Sequence, residues 1–255
     1  MPTFDSDGVE LFYVDRPAVG EDLGEPILLI HGFASNYLVN WDNTFWIKTL
    51  TEAGRRVIAF DNRGHGQSAK PHRPEDYTTP IMAADARRLL DHLGIERADV
   101  MGYSMGARIT AFLTLAEPAR VRSAILGGLG HHLVEGAGLP LFIAEALEAP
   151  SLADLIDPMQ RMFRSFAEQT KSDLVALAAC IRGSRQTLTP DEIHRIFCPV
   201  LVAIGTKDDV AGDPHELAAM MPDAQALEIP GRDHNLAVGD KVYKQGVLAF
   251  LKARP

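Results

Sequence analysis

A serine lies between two glycines in Gly102-Tyr103-Ser104-Met105-Gly106, a spacing that suits nucleophilic chemistry. An apolar stretch ending in Val100-Met101 precedes this pentapeptide, and residues 107–113 follow it with a helical pattern. In that setting G-x-S-x-G predicts a sharp turn from a strand into a helix, with the serine hydroxyl lifted clear of the sheet. The glycines remove Cβ atoms that would collide in so tight a bend. The helix directs amides and the positive end of its dipole towards negative charge that forms beside the serine. A Gly-rich turn with an incidental serine can have the same five residues. The presence of a histidine and an acid as partners of Ser104 therefore distinguishes a nucleophile from an incidental serine.

The elements that must position this serine alternate along the first half of the chain. After a hairpin signal at residues 3–14, apolar runs near 26–31, 56–60, 98–101 and 122–128 predict strands covered on both faces. Helical patterns separate them, and one of these starts at Thr79-Pro80, with Thr79 as the predicted N-cap. This order predicts a mostly parallel sheet with helices on both faces.

The alternation stops at about residue 129 and resumes at about 196. The intervening residues predict several short helices and no buried strand, and we interpret them as an insertion. Beyond the insertion, a strand at 199–205, a helix at 213–221, a strand at 224–229 and a helix at 241–251 complete the pattern. We therefore expect residues 1–128 and 196–255 to form one core, with 129–195 inserted into it.

Composition excludes several classes of function. The 255 residues carry a formal net charge of −9, which disfavours nucleic acid as a partner because phosphate binding needs clustered Lys and Arg. The first residues lack the features of a signal peptide, and no apolar run approaches the ~20 residues that span a bilayer. Cys180 and Cys198, the only cysteines, show no metal or redox spacing. We expect a cytoplasmic protein with free thiols and no membrane partner.

Five features in this order carry a resemblance to a known family: His31-Gly32-Phe33, the loop from Asp61 to Ser68, the Ser104 turn, Asp208 and His234. The chain resembles the α/β-hydrolase superfamily, specifically its small serine esterase-like branch with a helical cap, over nearly its whole length. The resemblance implies an α/β fold with a mostly parallel eight-stranded sheet flanked by helices. It also implies that residues 129–195 are a helical cap, or lid, inserted after the sixth strand.

The partners of Ser104 follow from the chain order Ser, Asp or Glu, His in this fold. His215 and His234 both lie after the candidate acids, but His215 falls inside a predicted helix, whereas His234 follows a strand on a loop. Asp208 and Asp209 are both acidic, and the residues alone do not choose between them. The family pattern selects Asp208, and we expect Asp209 to cap amides or stay solvated.

The resemblance also assigns the oxyanion hole to the backbone amides of Phe33 and Met105. The loop from Asp61 to Ser68 is interpreted as structural. The pair His131-His132 lacks a carboxylate at ligand spacing, so we predict no metal and place the pair at the edge of the insertion, facing the pocket. A stripe of Met159, Met162, Phe163 and Phe166 is interpreted mainly as packing, with part of it lining an apolar pocket.

These residues imply a cofactor-free hydrolase, monomeric or homodimeric, acting on small or medium carboxylic esters as its small-molecule partners. The same machinery in related families hydrolyses carbon–carbon bonds or lactones, or makes peracids, and these alternatives stay open. Dehalogenase and epoxide hydrolase chemistry is disfavoured because those relatives carry Asp in place of Ser104. A ligand receptor with the same fold is a further alternative from a different functional class.

Overall fold

The computed structural model describes residues 2–136 and 138–253, and eight of its strands lie in one sheet in the order β1-β2-β4-β3-β5-β6-β7-β8. The β1–β2 and β2–β4 pairs are antiparallel, and all the other pairs are parallel. The predicted eight-stranded, mostly parallel sheet is confirmed. The strands are β1 (Thr3–Ser6), β2 (Val9–Arg16), β3 (Ile27–Ile30), β4 (Val57–Phe60), β5 (Ala98–Tyr103), β6 (Val121–Gly127), β7 (Val200–Gly205) and β8 (Ala224–Ile229).

Helices follow most of the strands. They are α1 (Trp46–Glu52), α2 (Thr79–His92), α3 (Met105–Ala116), α4 (His132–Glu135), α5 (Leu141–Glu148), α6 (Pro158–Gln169), α7 (Leu174–Gly183), α8 (Pro190–His194), α9 (Pro214–Ala219), α10 (His234–Ala237) and α11 (Lys241–Ala253). The predicted N-cap of α2 is wrong by one residue, because the helix begins at Thr79 itself and Thr78 is its N-cap. The Thr79 amide instead donates to the Gln186 side chain, and Pro80 is tolerated in the first turn.

The sheet is buried on both faces. Its strands β3, β4 and β7 are apolar at every position, whereas β5 and β6 also contain buried polar residues, Asp99 and Ser123. Along β3, alternate residues point to opposite sides. Leu28 and Ile30 join the cluster that contains α2 and α3, whereas Ile27 and Leu29 join the cluster that contains α1 and α11. This two-sided burial holds the ends of the parallel strands in fixed positions.

The chain between β6 and β7 contains α4 to α8 and, in its described part, no strand. The side chains of α5, α6 and α7 form their own small apolar cluster, which Phe33 joins from the loop after β3. Two of these helices begin with a side-chain cap followed by proline: Asp157 caps α6 ahead of Pro158, and Thr189 caps α8 ahead of Pro190. The helices between β6 and β7 therefore pack against the edge of the sheet at which β3 ends.

Candidate active site

Ser104 occupies the junction between β5 and α3, with a backbone φ of 55° and ψ of −115°. Non-glycine residues rarely adopt a positive φ, and such strain is retained where the surroundings enforce it. A Cβ on Gly102 would collide with the carbonyl of Gly106, and a Cβ on Gly106 would collide with the carbonyl of Ile30. The two glycines let the turn close tightly, as predicted, and Gly106 also lets α3 approach β3.

Ser104, His234 and Asp208 form one hydrogen-bonded chain. The Ser104 Oγ lies 3.0 Å from His234 Nε2, and His234 Nδ1 lies 2.7 Å from Asp208 Oδ2. The other oxygen of Asp208 accepts hydrogen bonds from the amides of Val210 (2.9 Å) and Ala211 (3.1 Å). Because the Asp208 side chain is fully buried and bonded through both oxygens, it has one orientation available to it.

Asp209 is exposed and lines a neighbouring cavity without a hydrogen bond to His234. Of the two outcomes expected for Asp209, solvation matches its exposure, whereas Asp208 accepts from the two loop amides and Asp213 caps the helix α9. His234 also differs from its predicted loop position: it is the first residue of the four-residue α10, which Asp233 caps. As predicted, His215 lies on a helix and is exposed.

Tyr103 makes a contact with His234 that was not predicted from the sequence. Its buried hydroxyl donates to the carbonyl oxygen of His234 at 2.6 Å, and the two ring centroids are 5.5 Å apart. Tyr103 is the last residue of β5, so this bond joins the backbone of His234 to the strand that ends at Ser104. Nothing in the local sequence indicates an acceptor 131 residues away.

The amides predicted for the oxyanion hole belong to Phe33 and Met105. Within residues 2–136 and 138–253, neither amide has a hydrogen-bond acceptor. The Phe33 loop lies against the Ser104 turn, because a Cβ built on Gly32 would stand 3.4 Å from the Ser104 Cβ. The Gly32 amide donates to Asn40 Oδ1 at 2.7 Å, which helps to hold the loop in place. Both free amides are thus on backbone that borders the serine.

Two buried histidines connect this loop to the one after β4. His31 Nδ1 donates to the Gly32 carbonyl at 2.7 Å, and its Nε2 accepts from the Asn62 amide at 2.9 Å. The ring of His65 packs edge-on against those of His31 and Phe33. Burial lowers the pKa of His31 to about 4 and that of His65 to about 3. Both rings are therefore neutral at neutral pH.

The loop from Asp61 to Ser68 is held by hydrogen bonds within the loop and to neighbouring segments. The carboxylate of Asp61 accepts from the amides of Tyr37 and Gln67, both at 2.8 Å. Arg63 forms a bidentate pair with the buried Asp85, with both distances at 2.7 Å. These contacts support a structural role for the loop.

A cavity of about 490 Å³ opens beside Ser104. This volume falls in the range of small-molecule sites, and most of the lining is apolar. More than half of the lining residues belong to 129–195, including Leu139, Met159 and Phe163. Met162 and Phe166 are not among the lining residues: Phe166 packs against the cluster of α5, α6 and α7, whereas Met162 is exposed. The predicted apolar stripe of α6 is therefore divided among the cavity, packing and the surface.

Polar side chains also line this cavity. His132 does so, and its Nδ1 donates to the Val210 carbonyl at 2.8 Å, while His131 pairs with Glu135 and Glu216.

No group of three or more His, Cys, Asp or Glu side chains in the described residues can hold a metal ion. Arg108 also lines the cavity and was not predicted from the sequence, although it follows Ser104 by four residues on α3. None of the described helices combines the length and apolar character needed to cross a membrane.

Comparison with known proteins identifies the family. Residues 25–136 match the family model of the α/β hydrolase fold. The chain is 30% identical to the non-heme chloroperoxidase of Streptomyces lividans, over 97% of this chain and 98% of that protein. A solved hydrolase from Pseudomonas aeruginosa shares 28% identity and a TM-score of 0.78, covering 99% of this chain and 98% of the other. The enol-lactonase from Burkholderia xenovorans, at 22% identity and a TM-score of 0.80 over 98% and 100% of the two chains, shares the fold. By sequence and sheet order, this chain belongs to the α/β-hydrolase superfamily.

Proposed function

We propose that the protein is a serine hydrolase that cleaves small or medium carboxylic esters through an acyl-enzyme intermediate. The observation that carries this proposal is the hydrogen-bonded chain from Ser104 through His234 to Asp208 at the edge of the cavity. A serine hydroxyl is a weak nucleophile at neutral pH and needs a base within hydrogen-bond reach. His234 Nε2 is within that reach.

In the first half of the reaction the Ser104 Oγ attacks the ester carbonyl carbon while its proton passes to His234 Nε2. The carbonyl π electrons move onto oxygen, and we assign that oxyanion to the free amides of Phe33 and Met105. The carbon–oxygen bond of the ester then breaks as His234 returns the proton to the leaving alcohol. Asp208 fixes the imidazole tautomer and offsets the positive charge on the imidazolium.

In the second half a water molecule gives a proton to His234 and attacks the acyl carbon. The tetrahedral intermediate expels the Ser104 oxygen, which takes the proton back from His234, and the carboxylic acid leaves. Each step uses side chains and amides of this chain alone, so the proposed reaction has no cofactor. The small-molecule ester is the partner that the cavity would hold.

We assign residues 129–195 as a cap over this site, with residues 1–128 and 196–255 as the hydrolase core. The cavity walls support this division, because the core supplies Ser104 and Phe33 whereas the inserted residues supply Leu139 and Phe163. A mainly apolar wall favours an uncharged acyl group. The assignment makes the inserted residues the determinant of substrate size.

A panel of p-nitrophenyl esters with acyl chains of two to twelve carbons tests the proposal, run beside a diketone and a lactone. We expect many turnovers on the shorter esters and slower reaction with the carbon–carbon substrate and the lactone. A single burst with no further turnover would instead support a receptor. Faster hydrolysis of the diketone or the lactone than of every ester would replace ester cleavage by that chemistry.

Perhydrolysis is a second candidate, favoured by the 30% identity to a protein named non-heme chloroperoxidase. In this reaction hydrogen peroxide takes the place of water and attacks the acyl-enzyme, so that a peracid leaves. Adding hydrogen peroxide to the ester assay separates the two reactions. Peracid formation that exceeds carboxylic acid formation would identify perhydrolysis as the main activity.

A further inference from the structure

Arg108 is a buried cation with an unusual set of partners. It lies one helical turn beyond Ser104 on α3, lines the cavity and is only 5% exposed. Within the described parts of the chain, no carboxylate forms an ion pair with it. Buried charges are ordinarily paired or well hydrogen-bonded, and here backbone carbonyls take the place of a counter-ion.

All four of those carbonyls belong to the inserted residues. Arg108 Nη1 donates to Leu133 at 3.3 Å and to Gln186 at 3.1 Å. Its Nη2 donates to His132 at 2.9 Å and to Gly136 at 2.6 Å. Three acceptors lie where the chain leaves the core after β6, and the fourth lies where it returns towards β7. One side chain on the nucleophile helix therefore binds both ends of the insertion.

The same two stretches make further contacts beside the cavity. Arg185 donates to the Leu139 carbonyl, which ties the returning stretch to the departing one. The Gln186 side chain accepts from the Thr79 amide at 2.7 Å, and Thr79 also lines the cavity. The departing stretch supplies several residues of the cavity wall, including His132, Glu135 and Gly136, so a shift of its backbone would change the space next to Ser104.

We propose that Arg108 is a positioning residue that seats both ends of the inserted segment on α3 and thereby sets the acyl length that the cavity accepts. This inference rests on the proposed ester hydrolase function. Each of the two terminal nitrogens carries two hydrogens and already has two carbonyl acceptors. A substrate anion can reach the terminal nitrogens only by displacing those carbonyls, so the geometry favours a positioning role over anion binding.

Arginine suits this role better than lysine. Its planar fork presents donors in several fixed directions, whereas a lysine ammonium presents three donors from one point. Arg108→Lys keeps the charge but cannot reach four acceptors in two separate stretches. The substitution therefore weakens the attachment of both stretches to α3 while a positive charge stays at this position.

The test compares Arg108→Lys with Arg55→Lys, a matched control at a second buried arginine, which pairs with Asp99 and does not line the cavity. For Arg108→Lys we expect the ratio of kcat/KM for p-nitrophenyl hexanoate to that for the acetate to change about tenfold, with kcat on the acetate altered less than about threefold. Hydrogen exchange measured by mass spectrometry should accelerate in both 131–136 and 184–188. Arg55→Lys should lower the melting temperature and leave the ratio and both stretches unchanged.

An unchanged selectivity ratio in Arg108→Lys, or faster exchange confined to one stretch, would overturn the proposal. If Arg108→Lys does not fold, the neutral Arg108→Gln serves in its place, because it leaves no buried cation behind. In the wild type, native-state hydrogen exchange under rising denaturant should show that both stretches unfold locally at the same denaturant concentration. Local unfolding of the two stretches at different concentrations would contradict their common attachment to Arg108. If the wild type hydrolyses no ester, the proposed function fails, while the exchange measurements still decide whether Arg108 seats the insertion.

Discussion

Tyr103 and His234 are joined by a 2.6 Å hydrogen bond from the tyrosine hydroxyl to the histidine carbonyl oxygen. The residue before the proposed nucleophile thereby holds the backbone of the proposed base. The end of the buried strand β5 therefore positions both residues of the Ser104–His234 contact: Ser104 directly follows it, and Tyr103 bonds to the backbone of His234. Such positioning matters because catalytic geometry tolerates little displacement.

Removing that hydroxyl is therefore expected to affect catalysis more than stability. For Tyr103→Phe we expect kcat to fall about tenfold with a small change in KM, because His234 loses alignment. The free energy of unfolding should fall by about 1 kcal/mol. Tyr243→Phe is the matched control, because the buried Tyr243 hydroxyl has no partner among the described residues. Ester kinetics and urea unfolding on both variants test this, and equal kcat values for the two variants would contradict it.

Asp208 and Asp209 are adjacent, but only Asp208 bonds to His234. Asp208→Asn should lower kcat by about 10⁴-fold, because the imidazolium loses its counter-charge and the imidazole its correct tautomer. Asp209→Asn should lower kcat by less than about tenfold, since this carboxylate only borders the cavity. Steady-state kinetics of both variants on one ester measure the difference. The reverse ranking would make Asp209 the catalytic acid.

The sequence predicted the sheet because most of its central strands contain continuous apolar runs, as β3 and β7 illustrate. It also predicted the Ser104 turn, whose glycines mark a local backbone requirement. It missed the contacts of Arg108 and Tyr103, because their acceptors are backbone carbonyls, which every residue carries. The four-residue spacing from Ser104 does place Arg108 on the same helix face, and this was an available signal. Selecting Asp208 over Asp209 needed the family pattern, since both residues have the same chemistry.

Phe163 and Phe166 separate the two roles of the α6 stripe. Phe163 lines the cavity, whereas Phe166 packs in the cluster within the insertion without lining the cavity. For Phe163→Ala we expect the preference for acyl length to move towards longer esters, because the larger cavity admits more methylene groups. Phe166→Ala should lower the melting temperature and leave the preference unchanged. The ester panel and thermal unfolding test both variants, and an unchanged preference in Phe163→Ala would remove this residue from the substrate pocket.

His31 and His65 make stability depend on pH. Their pKa values lie near 4 and 3 in the folded protein, below the value of about 6.5 expected when unfolded. The unfolded state therefore binds more protons below about pH 6.5, and the free energy of unfolding decreases as the pH falls from there. We expect His65→Asn to reduce that decrease by up to about 1.4 kcal/mol per pH unit, because one buried histidine is gone. The new amide nitrogen can still donate to the Arg63 carbonyl, as His65 Nδ1 does.

Urea unfolding at several pH values from 7 to 4.5 measures this dependence. His215→Asn is the control, since His215 is exposed on α9. A plot of its free energy of unfolding against pH should run parallel to that of the wild type. Parallel curves for His65→Asn and the wild type would show that His65 does not contribute to acid destabilisation.

The central claim is that Ser104 becomes acylated, and intact-mass analysis after treatment with a fluorophosphonate tests it most directly. Ser184→Ala provides the control, because Ser184 is another serine that lines the cavity. The account predicts one added probe on the wild type and on Ser184→Ala, none on Ser104→Ala, and no ester turnover by Ser104→Ala. Labelling of Ser104→Ala to the same extent as the wild type would contradict the account.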